Sequence, residues 1–191
     1  MRIALVQGHP DPRGGHFCHA LADAYAAGAK QSGHELRAVE VARLEFPLLE
    51  SAAQWESGAP VAAIRGAQET IAWASHLVFV FPLWLGDVPA RLKGFLEQTL
   101  RPGFALGEAE SERVGRKLLK GRSARLIVTM GMPAFFYRAW YRAHSVKSLR
   151  RNVLEFCGVG PVRSTLIGTV ESAKAREKAL AAVGRLGRAG G

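Results

Sequence analysis

The chain is poor in the residues that build metal centres and disulfide frameworks. It contains two cysteines, Cys18 and Cys157, and three aspartates, Asp11, Asp23 and Asp87. Two cysteines are too few for a disulfide framework, and their scarcity favours a reducing cytoplasm. The His-x-x-x-His and Cys-x-x-Cys spacings are missing, so we expect no metal site. The Gly-x-Ser-x-Gly nucleophile motif is missing as well.

Long hydrophobic runs are missing too. Pro82 and Gly86 interrupt the longest apolar stretch before it reaches the roughly 18 residues of a membrane span. The opening MRIALVQGHP carries one charge and a short apolar stretch, which predicts a first strand rather than a secretory signal. We expect one globular domain over residues 1–186, no membrane span, and a disordered tail over residues 187–191.

Acidic residues are outnumbered by basic ones. There are 26 Lys and Arg residues against 16 Asp and Glu, a formal charge of +10. Such an excess attracts anions, among them phosphorylated cofactors and nucleic acid. The two basic groups are either solvated surface or anion contacts. They are Arg113, Arg116, Lys117, Lys120, Arg122 and Arg125, and then Lys147, Arg150 and Arg151. Because no nucleic-acid-binding motif accompanies them, we expect no nucleic-acid partner.

Strand patterns and helix patterns alternate along the chain. Strands are predicted at residues 2–6, 35–41, 77–81, 124–130 and 162–167. Helices are predicted at residues 16–32, 60–74, from 89 onward, 146–157 and 173–186. Residues 45–59, 102–123 and 131–145 are predicted to be irregular connections. The alternation predicts an α/β fold with a parallel sheet covered on both faces.

The loop after the first predicted strand reads QGHPDPRGGHFCHAL. A glycine-containing turn that enters a helix N-terminus offers backbone N–H groups to a phosphate, and Arg13 can add a charged bond. The loop matches neither the dinucleotide fingerprint nor the P-loop, so a simple turn is the alternative. Cys18 is either a thiol of lowered pKa at the helix start or a small packed residue.

The stretch LVFVFPLWLGDVPARLKGFLEQTL predicts a buried strand, a stiff loop and a helix. In open α/β sheets, ligands bind just past the carboxyl ends of the strands. Trp84 in this loop is therefore placed to contact a flat ligand, although Trp84 and Leu85 could equally cap the core. The fourth predicted strand ends at the same edge, where Gly131 and Met132 offer backbone N–H groups to that ligand.

Aromatic residues crowd the segment after the fourth predicted strand. They are Phe135, Phe136, Tyr137, Trp140 and Tyr141. Spaced three and four apart, they either form a helix face packed on the core or a partner subunit, or wall a pocket for a planar ring. Since the chain offers no other evident catalytic constellation, we expect a cofactor to carry the chemistry.

These motifs resemble the NAD(P)H:quinone oxidoreductase family of flavodoxin-like flavoproteins. FPLWLGDVPARLKGFLEQTLRPGFAL is similar to the family's strand, loop and P-A-x-L-K-G helix, and HPDP followed by HFCHAL resembles its phosphate loop. TMGMPAFFYRAWYRAH resembles its T-x-G segment, so the resemblance extends to about residue 168. It implies a flavodoxin-like three-layer sandwich with five parallel strands in the order 2-1-3-4-5.

The resemblance also implies a flavin site, which could bind either FMN or FAD. The residues expected at the phosphate are His9, Arg13, Gly15, His16, Phe17 and Cys18. Those expected at the ring are Pro82, Leu83, Trp84, Leu85, Met130, Gly131 and Met132. Gly15 and Cys18 replace a serine and an asparagine of the family, so Arg13 and backbone N–H groups are expected to compensate. The candidate catalytic residues are Tyr137, Tyr141 and His144.

The implied activity is a flavin-dependent NAD(P)H:quinone oxidoreductase that transfers a hydride by a ping-pong mechanism. Proteins of this family usually form homodimers with the active site at the interface, so a homodimer is expected. The alternative is a regulatory subunit that binds flavin and nucleotide and docks on a partner such as a transport protein. The sequence does not decide whether NADH or NADPH is the electron donor, and it does not identify the acceptor.

Overall fold

A computed structural model describes residues 1–107 and 116–191 of the chain. One sheet of five parallel strands has the order β2-β1-β3-β4-β5, so the expected fold class and strand order are confirmed. The strands are β1 (Arg2–Gln7), β2 (Glu35–Glu40), β3 (His76–Pro82), β4 (Ser123–Thr129) and β5 (Val162–Ile167). Each begins and ends within about one residue of its predicted bounds. β1, β3 and β4 are almost entirely buried, as expected of apolar strands covered on both faces, whereas the edge strands β2 and β5 are partly exposed.

Helices cover both faces of the sheet. They are α1 (Phe17–Gln31), α2 (Ala52–Ser57), α3 (Ala62–Trp73), α4 (Ala90–Thr99), α5 (Ala134–Ala139), α6 (His144–Ser148) and α7 (Ala173–Ala189). One core lies under α1 and α7, with Leu21, Tyr25 and Val183 at its centre. The other lies under α3 and α4, with Ile64 and Phe95. None of the helices in the described ranges has the length and apolar character needed to cross a bilayer.

The prediction of a disordered tail is wrong for residues 187–189, because α7 continues to Ala189. The cause is close packing against α1. Gly187 is buried, and a Cβ at this position would lie 2.1 Å from the carbonyl oxygen of Tyr25. Gly28 and Gly184 make a similar approach, with Gly184 O 2.1 Å from a Cβ built on Gly28. These glycines therefore bring two helices together instead of loosening the chain.

Two predicted irregular stretches contain helices. α2 lies within residues 45–59, where Ser51 Oγ accepts from the backbone N–H of Gln54 and Gln54 Oε1 accepts from the N–H of Glu50. This Ser-x-x-Gln spacing is a helix-start signal that could have been recognised. Residues 131–145 contain α5 and the start of α6. The helix predicted at 146–157 is α6 followed by a π-helical segment, Leu149–Leu154.

The first basic group is only partly a solvated surface. Arg113 lies outside the described residues. Arg122 donates from Nε and Nη2 to the carbonyl oxygens of Ile71 and Ala72. Arg125 is 8% exposed and points from β4 into the layer between the sheet and the helices α1 and α7. The prediction of a solvated cluster is wrong at Arg125, because strand alternation turns this residue toward the interior.

Candidate active site

A cavity of about 390 Å³ lies at the carboxyl ends of β3 and β4. The loop after β3 contributes Leu83, Leu85 and Gly86 to its walls. The turn after β4 contributes Met130, Gly131 and Met132. Tyr137 and Tyr141 complete the lining. The structure thus brings together most of the residues expected around a flat ring, at the sheet edge where ligands of α/β folds bind. Pro82 is buried as the last residue of β3 and is not among the lining residues.

The loop after β3 is a tight two-residue turn. The backbone N–H groups of Trp84 and Asp87 each donate to the other's carbonyl oxygen at 2.9 Å. Leu85 and Gly86 between them have φ angles of +48° and +81°, the left-handed pair of a type I′ turn. Glycine adopts this backbone freely, whereas leucine does so at a cost. The turn holds the Leu85 side chain entirely out of the protein, beside the cavity.

The three candidate catalytic residues differ in their surroundings. Tyr137 is 1% exposed, and its hydroxyl shares a hydrogen bond of 2.7 Å with Ser145 Oγ. Tyr141 is 44% exposed and packs its ring against Tyr137. His144 is exposed, and it is not among the residues that line the cavity. Its backbone N–H donates to the carbonyl oxygen of Tyr141. Of these three side chains, Tyr141 is the one that lies beside the cavity with a hydroxyl that has no hydrogen-bond partner within residues 1–107 and 116–191.

Three histidines gather in the loop after β1 and the first turn of α1. The rings of His9 and His16 stack with centroids 4.0 Å apart, and the ring of His19 lies 5.3 Å from that of His9. Burial, followed by the nearby His16 and His19, lowers the pKa of His9 to about 4. The backbone N–H of Asp11 donates to His9 Nδ1 at 3.2 Å. His9 is therefore neutral at pH 7, and its Nε2 is the nitrogen that carries the proton.

Arg13, which was expected at a phosphate, instead forms an ion pair with Asp11 in the same loop. Arg13 donates from Nε and Nη2 to both carboxylate oxygens of Asp11, and its side chain is 87% exposed. His16 Nε2 lies 2.9 Å from the same carboxylate. Hydrogen bonds from Arg13 and His16 hold the pKa of Asp11 well below its usual range. To bind a phosphate, Arg13 would have to share or give up this exposed ion pair, which is a weak interaction, so its role at a phosphate stays a prediction.

The start of α1 nevertheless keeps donors for an anion. The first N–H groups of a helix have no partner within it, and His16 gives no side-chain cap here. Gly14 and Gly15 both have φ of +78°, which turns the chain sharply into the helix. Phe17 is half-buried, with the Arg176 guanidinium carbon 4.9 Å from its ring centroid.

Cys18 is a packed residue rather than a reactive one. It is 2% exposed, and its Sγ lies 3.2 Å from Thr129 Oγ1 at the end of β4. Burial raises the pKa of this thiol to about 11. Its side chain therefore does not take over the contact that the family's asparagine makes with a phosphate. It joins α1 to β4 instead.

His19 is a residue of this cluster that the motifs did not single out, whereas Trp84, expected at the ring, is not among the residues that line the cavity. His19 follows His16 by three positions, so both rings lie on one face of the first helical turn. Trp84 meets the His9 ring edge-on at a centroid distance of 5.8 Å, which connects the loop after β1 to the loop after β3. Despite the three imidazoles, the described residues include no group of His, Cys, Asp or Glu side chains arranged to hold a metal ion.

These residues fit a flavin. Apolar and aromatic side chains line a cavity within the size range of ordinary cofactor sites, which suits a planar ring. The backbone N–H groups of Gly131 and Met132 have no hydrogen-bond partner within residues 1–107 and 116–191, and so remain free for ring oxygens or nitrogens. The donors at the start of α1 follow the neighbouring strand and suit a phosphate.

A model of the protein family described by a flavodoxin-like fold matches residues 1–186. The chain is 26% identical over 156 residues to the ribosyldihydronicotinamide dehydrogenase-like protein traD of Penicillium crustosum, covering 69% of this chain and 58% of that protein. The chain thus spans less than two thirds of that relative's length. It is 27% identical over 144 residues to the FMN-dependent NADH:quinone oxidoreductase of Ruegeria pomeroyi, covering 67% of this chain and 70% of that protein.

Among solved structures, the fold is similar to that of the NAD(P)H:quinone oxidoreductase from Methanothermobacter marburgensis. The TM-score is 0.82 at 24% identity, over 97% of this chain and 96% of that chain. At this level of identity the likeness concerns the fold alone, so it supports the sheet order and layer arrangement independently of the sequence motifs.

Proposed function

Because the chain belongs to the protein family with a flavodoxin-like fold, we propose that it is a flavin-dependent NAD(P)H:quinone oxidoreductase. The observation that carries this proposal is the cavity of about 390 Å³ at the carboxyl ends of β3 and β4. Ligands of open α/β sheets bind where the connections diverge, so in this strand order we expect the cofactor at the ends of β1 and β3. The relative from Ruegeria pomeroyi, named an FMN-dependent NADH:quinone oxidoreductase, supports the same activity.

The chain's own residues would hold the flavin at two places. His9, His16 and the N-terminus of α1 would bind its phosphate, and Leu83, Leu85 and Met132 would contact its ring. The bound flavin supplies two-electron transfer between NAD(P)H and the acceptor. We expect NAD(P)H and the quinone to occupy the same cavity in turn, which produces ping-pong kinetics. The protein's part is to align each of them closely with the ring.

Tyr141 is the residue we assign to proton donation. Its exposed position at the cavity allows its hydroxyl to reach an oxygen of the reduced acceptor. Tyr137 would instead position Tyr141, since the two rings are stacked with centroids 6.2 Å apart. The free N–H groups of Gly131 and Met132 would stabilise negative charge on the reduced ring.

A second copy of the chain is the expected cover for the cavity. Phe135 and Trp140 are 73% and 74% exposed, and with Phe136 and Tyr141 they form a continuous aromatic face beside the cavity. Faces of this composition are typical of protein interfaces. We therefore propose a homodimer in which this face packs against the partner subunit.

The same face supports a second candidate function. Arg138 and Arg142 lie among its exposed aromatic side chains. Aromatic and arginine residues together are enriched where proteins dock. A regulatory subunit that binds flavin and docks on another protein would use this surface. Such a protein would bind flavin but turn over slowly on its own, so steady-state rates separate the two candidates.

We propose that residues 1–186 belong to one domain that also includes the end of α7. We propose the cytoplasm as the setting, since Cys18 and Cys157 are free thiols and a reducing compartment keeps thiols in this state.

The test of the proposed activity begins with flavin retention. Purified protein is incubated with excess FMN or FAD, desalted and examined for visible flavin absorbance. We expect retained flavin and oxidation of NAD(P)H by a benzoquinone, with parallel double-reciprocal lines. Retention of neither flavin would contradict the proposal, and intersecting lines would exclude a shared site.

A further inference from the structure

Two arginines face each other across adjacent strands at the amino end of the sheet. Arg125 on β4 is in register with Arg163 on β5, and parallel strands place such partners on the same face. Like charges directly opposite each other destabilise a sheet. The ion pairs among the described residues are Arg13–Asp11, His16–Asp11, Arg43–Glu40, Lys93–Glu97 and Arg150–Glu155. No carboxylate within residues 1–107 and 116–191 therefore neutralises this pair.

The buried member of the pair has unsatisfied hydrogen-bonding capacity. Arg125 is 8% exposed and donates from Nη1 to Thr165 Oγ1 at 2.9 Å. Its Nε is buried without a partner in the described part of the chain. Burial, together with the neighbouring Arg163, lowers the pKa of Arg125, which means that the surroundings oppose its charge. A buried guanidinium is ordinarily compensated by an anion.

Two more buried polar groups without partners lie next to Arg125. His76 is 3% exposed; its Nδ1 lies 2.7 Å from Ser123 Oγ and its Nε2 is unpartnered among the described residues. The register places His76 diagonally from Arg125 on the same face. Tyr25 of α1 is fully buried, and its hydroxyl is also unpartnered within the described ranges. Tyr25 packs in the same core layer as Val78 and Ile127, which follow His76 and Arg125 on that face of the sheet. The charge of Arg125 also acts on the pKa of both His76 and Tyr25.

The chemistry of these groups is that of donors. The Nε of an arginine only donates, a tyrosine hydroxyl donates, and the Nε2 of a neutral histidine donates when Nδ1 accepts. Burial and the two arginines lower the pKa of His76 to about 4, so it is neutral at pH 7. In the tautomer in which His76 Nε2 donates, a water molecule, which accepts about two hydrogen bonds, leaves one of these three donors unpaired, and in either tautomer it does not neutralise the arginines. An anion accepts more and also neutralises the arginines.

We propose that Arg125, Arg163, His76 and Tyr25 form a binding site for a small inorganic anion, reached beside the edge strand β5. Arg163 is exposed there and forms the entrance, whereas Arg125 is the buried contact. The site lies on β4 five residues before Met130, about 16 Å from the cavity proposed for the flavin. It is thus separate from the active site, and its occupant stabilises the fold rather than reacting.

Thermal unfolding of the purified protein tests the site without reference to activity. Sodium bromide and sodium phosphate are titrated separately into the wild type, Arg163→Gln, Arg163→Lys and Arg185→Gln, the last being an exposed arginine of α7 with the same loss of charge. We expect one or both anions to raise the Tm of the wild type and Arg185→Gln by about 3–5 °C at tenfold excess over Kd. Arg163→Gln should lose most of this rise, and Arg163→Lys should keep part of it.

The two anions distinguish the occupant. A rise with bromide alone indicates a halide, and a rise with phosphate alone indicates an oxyanion. Equal rises in the wild type and Arg163→Gln would overturn the proposal, because the effect would then arise elsewhere, for instance at the start of α1. Crystals grown in the anion that raises the Tm give the direct answer. Density for that anion in contact with Arg125, identified by its anomalous peak where the anion is bromide, supports the site, and an ordered water there, with the anion bound only elsewhere, overturns it.

Discussion

Leu85 and Arg142 share a left-handed backbone, with φ of +48° and +50°, at the first central position of two tight turns that flank one cavity. The second turn is closed by the N–H of His144, which donates to the carbonyl of Tyr141 at 3.2 Å, and Ala143 follows with φ of +49°. Residues other than glycine adopt this backbone at a cost of about 1–2 kcal/mol each. Strain of this kind persists where surrounding structure or function requires it.

Leu85→Gly should therefore stabilise the apoprotein while weakening flavin binding. Glycine removes the steric cost of the left-handed backbone, and the fully exposed leucine side chain gives no packing in return. We expect a gain of about 1 kcal/mol, or about 2–4 °C in Tm, together with a higher Kd for FMN. Leu85→Ala is the matched control, since it removes the same ring contact and keeps the strain. An unchanged Kd in both variants would contradict the contact between Leu85 and the ring.

Tyr141→Phe should lower kcat without changing stability, whereas Tyr137→Phe should lower stability without changing kcat. The buried Tyr137 hydroxyl pairs with Ser145, so its removal should lower the free energy of unfolding by about 1 kcal/mol and leave kcat nearly unchanged. The Tyr141 hydroxyl is exposed at the cavity, so its removal should lower kcat by about 100-fold at unchanged Tm. Stopped-flow rates of quinone reduction and thermal melts measure both. A greater loss of kcat in Tyr137→Phe would reverse the assignment.

The sheet could be predicted from the sequence because its central strands β1, β3 and β4 are apolar runs and helix patterns separate all five strands. The ring-facing loops could be predicted for the same reason, since they must follow the ends of β3 and β4. The short helix α5 could not, because its few turns depend on tertiary packing rather than on periodicity, and the only sequence signal of α2 was the Ser51-x-x-Gln54 spacing at its start. The engagement of Arg13 by Asp11 was also hidden, since spacing alone does not reveal which of two charged partners a side chain selects.

The burial of Arg125 was not predicted from the sequence. In the sequence Arg125 belongs to a basic group that is typical of a solvated surface. Strand alternation, however, turns Arg125 to the same side as Ile127, which is fully buried. The signal was present in the alternation of β4, but the charge of the residue argued against it.

Acid should destabilise the protein through His9. Its pKa is about 4 in the folded chain, against the ordinary value of 6.5. The unfolded chain therefore binds the extra proton first, and stability is lost as the pH falls from about 6.5 toward 4. His76 contributes in the same direction with a pKa of about 4. We expect His9→Gln to flatten this dependence in urea unfolding between pH 7.5 and 5, whereas the exposed His144→Gln should follow the wild type. Identical slopes in all three would contradict the burial of His9.

The thiols of the native protein should react slowly. Burial raises the pKa of both Cys18 and Cys157 to about 11, so the thiolate is scarce at pH 8. We expect a chromogenic disulfide reagent to label both cysteines only after denaturation. Fast labelling of one thiol in the folded protein would show that the chain opens locally, either in α1 or after the π-helical segment. The variant Cys18→Ser would then show which of the two cysteines reacts.

Trp140→Ser should separate the proposed dimer. Trp140 is 74% exposed on the aromatic face, and large aromatic side chains dominate the energy of an interface. Light scattering at a fixed protein concentration should show a monomer for this variant and a dimer for the wild type. Phe156→Ser is the matched control, because Phe156 is 53% exposed but lines a different cavity beside Trp55 and Leu96. If Phe156→Ser dissociates the dimer and Trp140→Ser does not, the partner subunit packs on that other face. The cavity beside Tyr141 must then be closed by the substrate or by another protein.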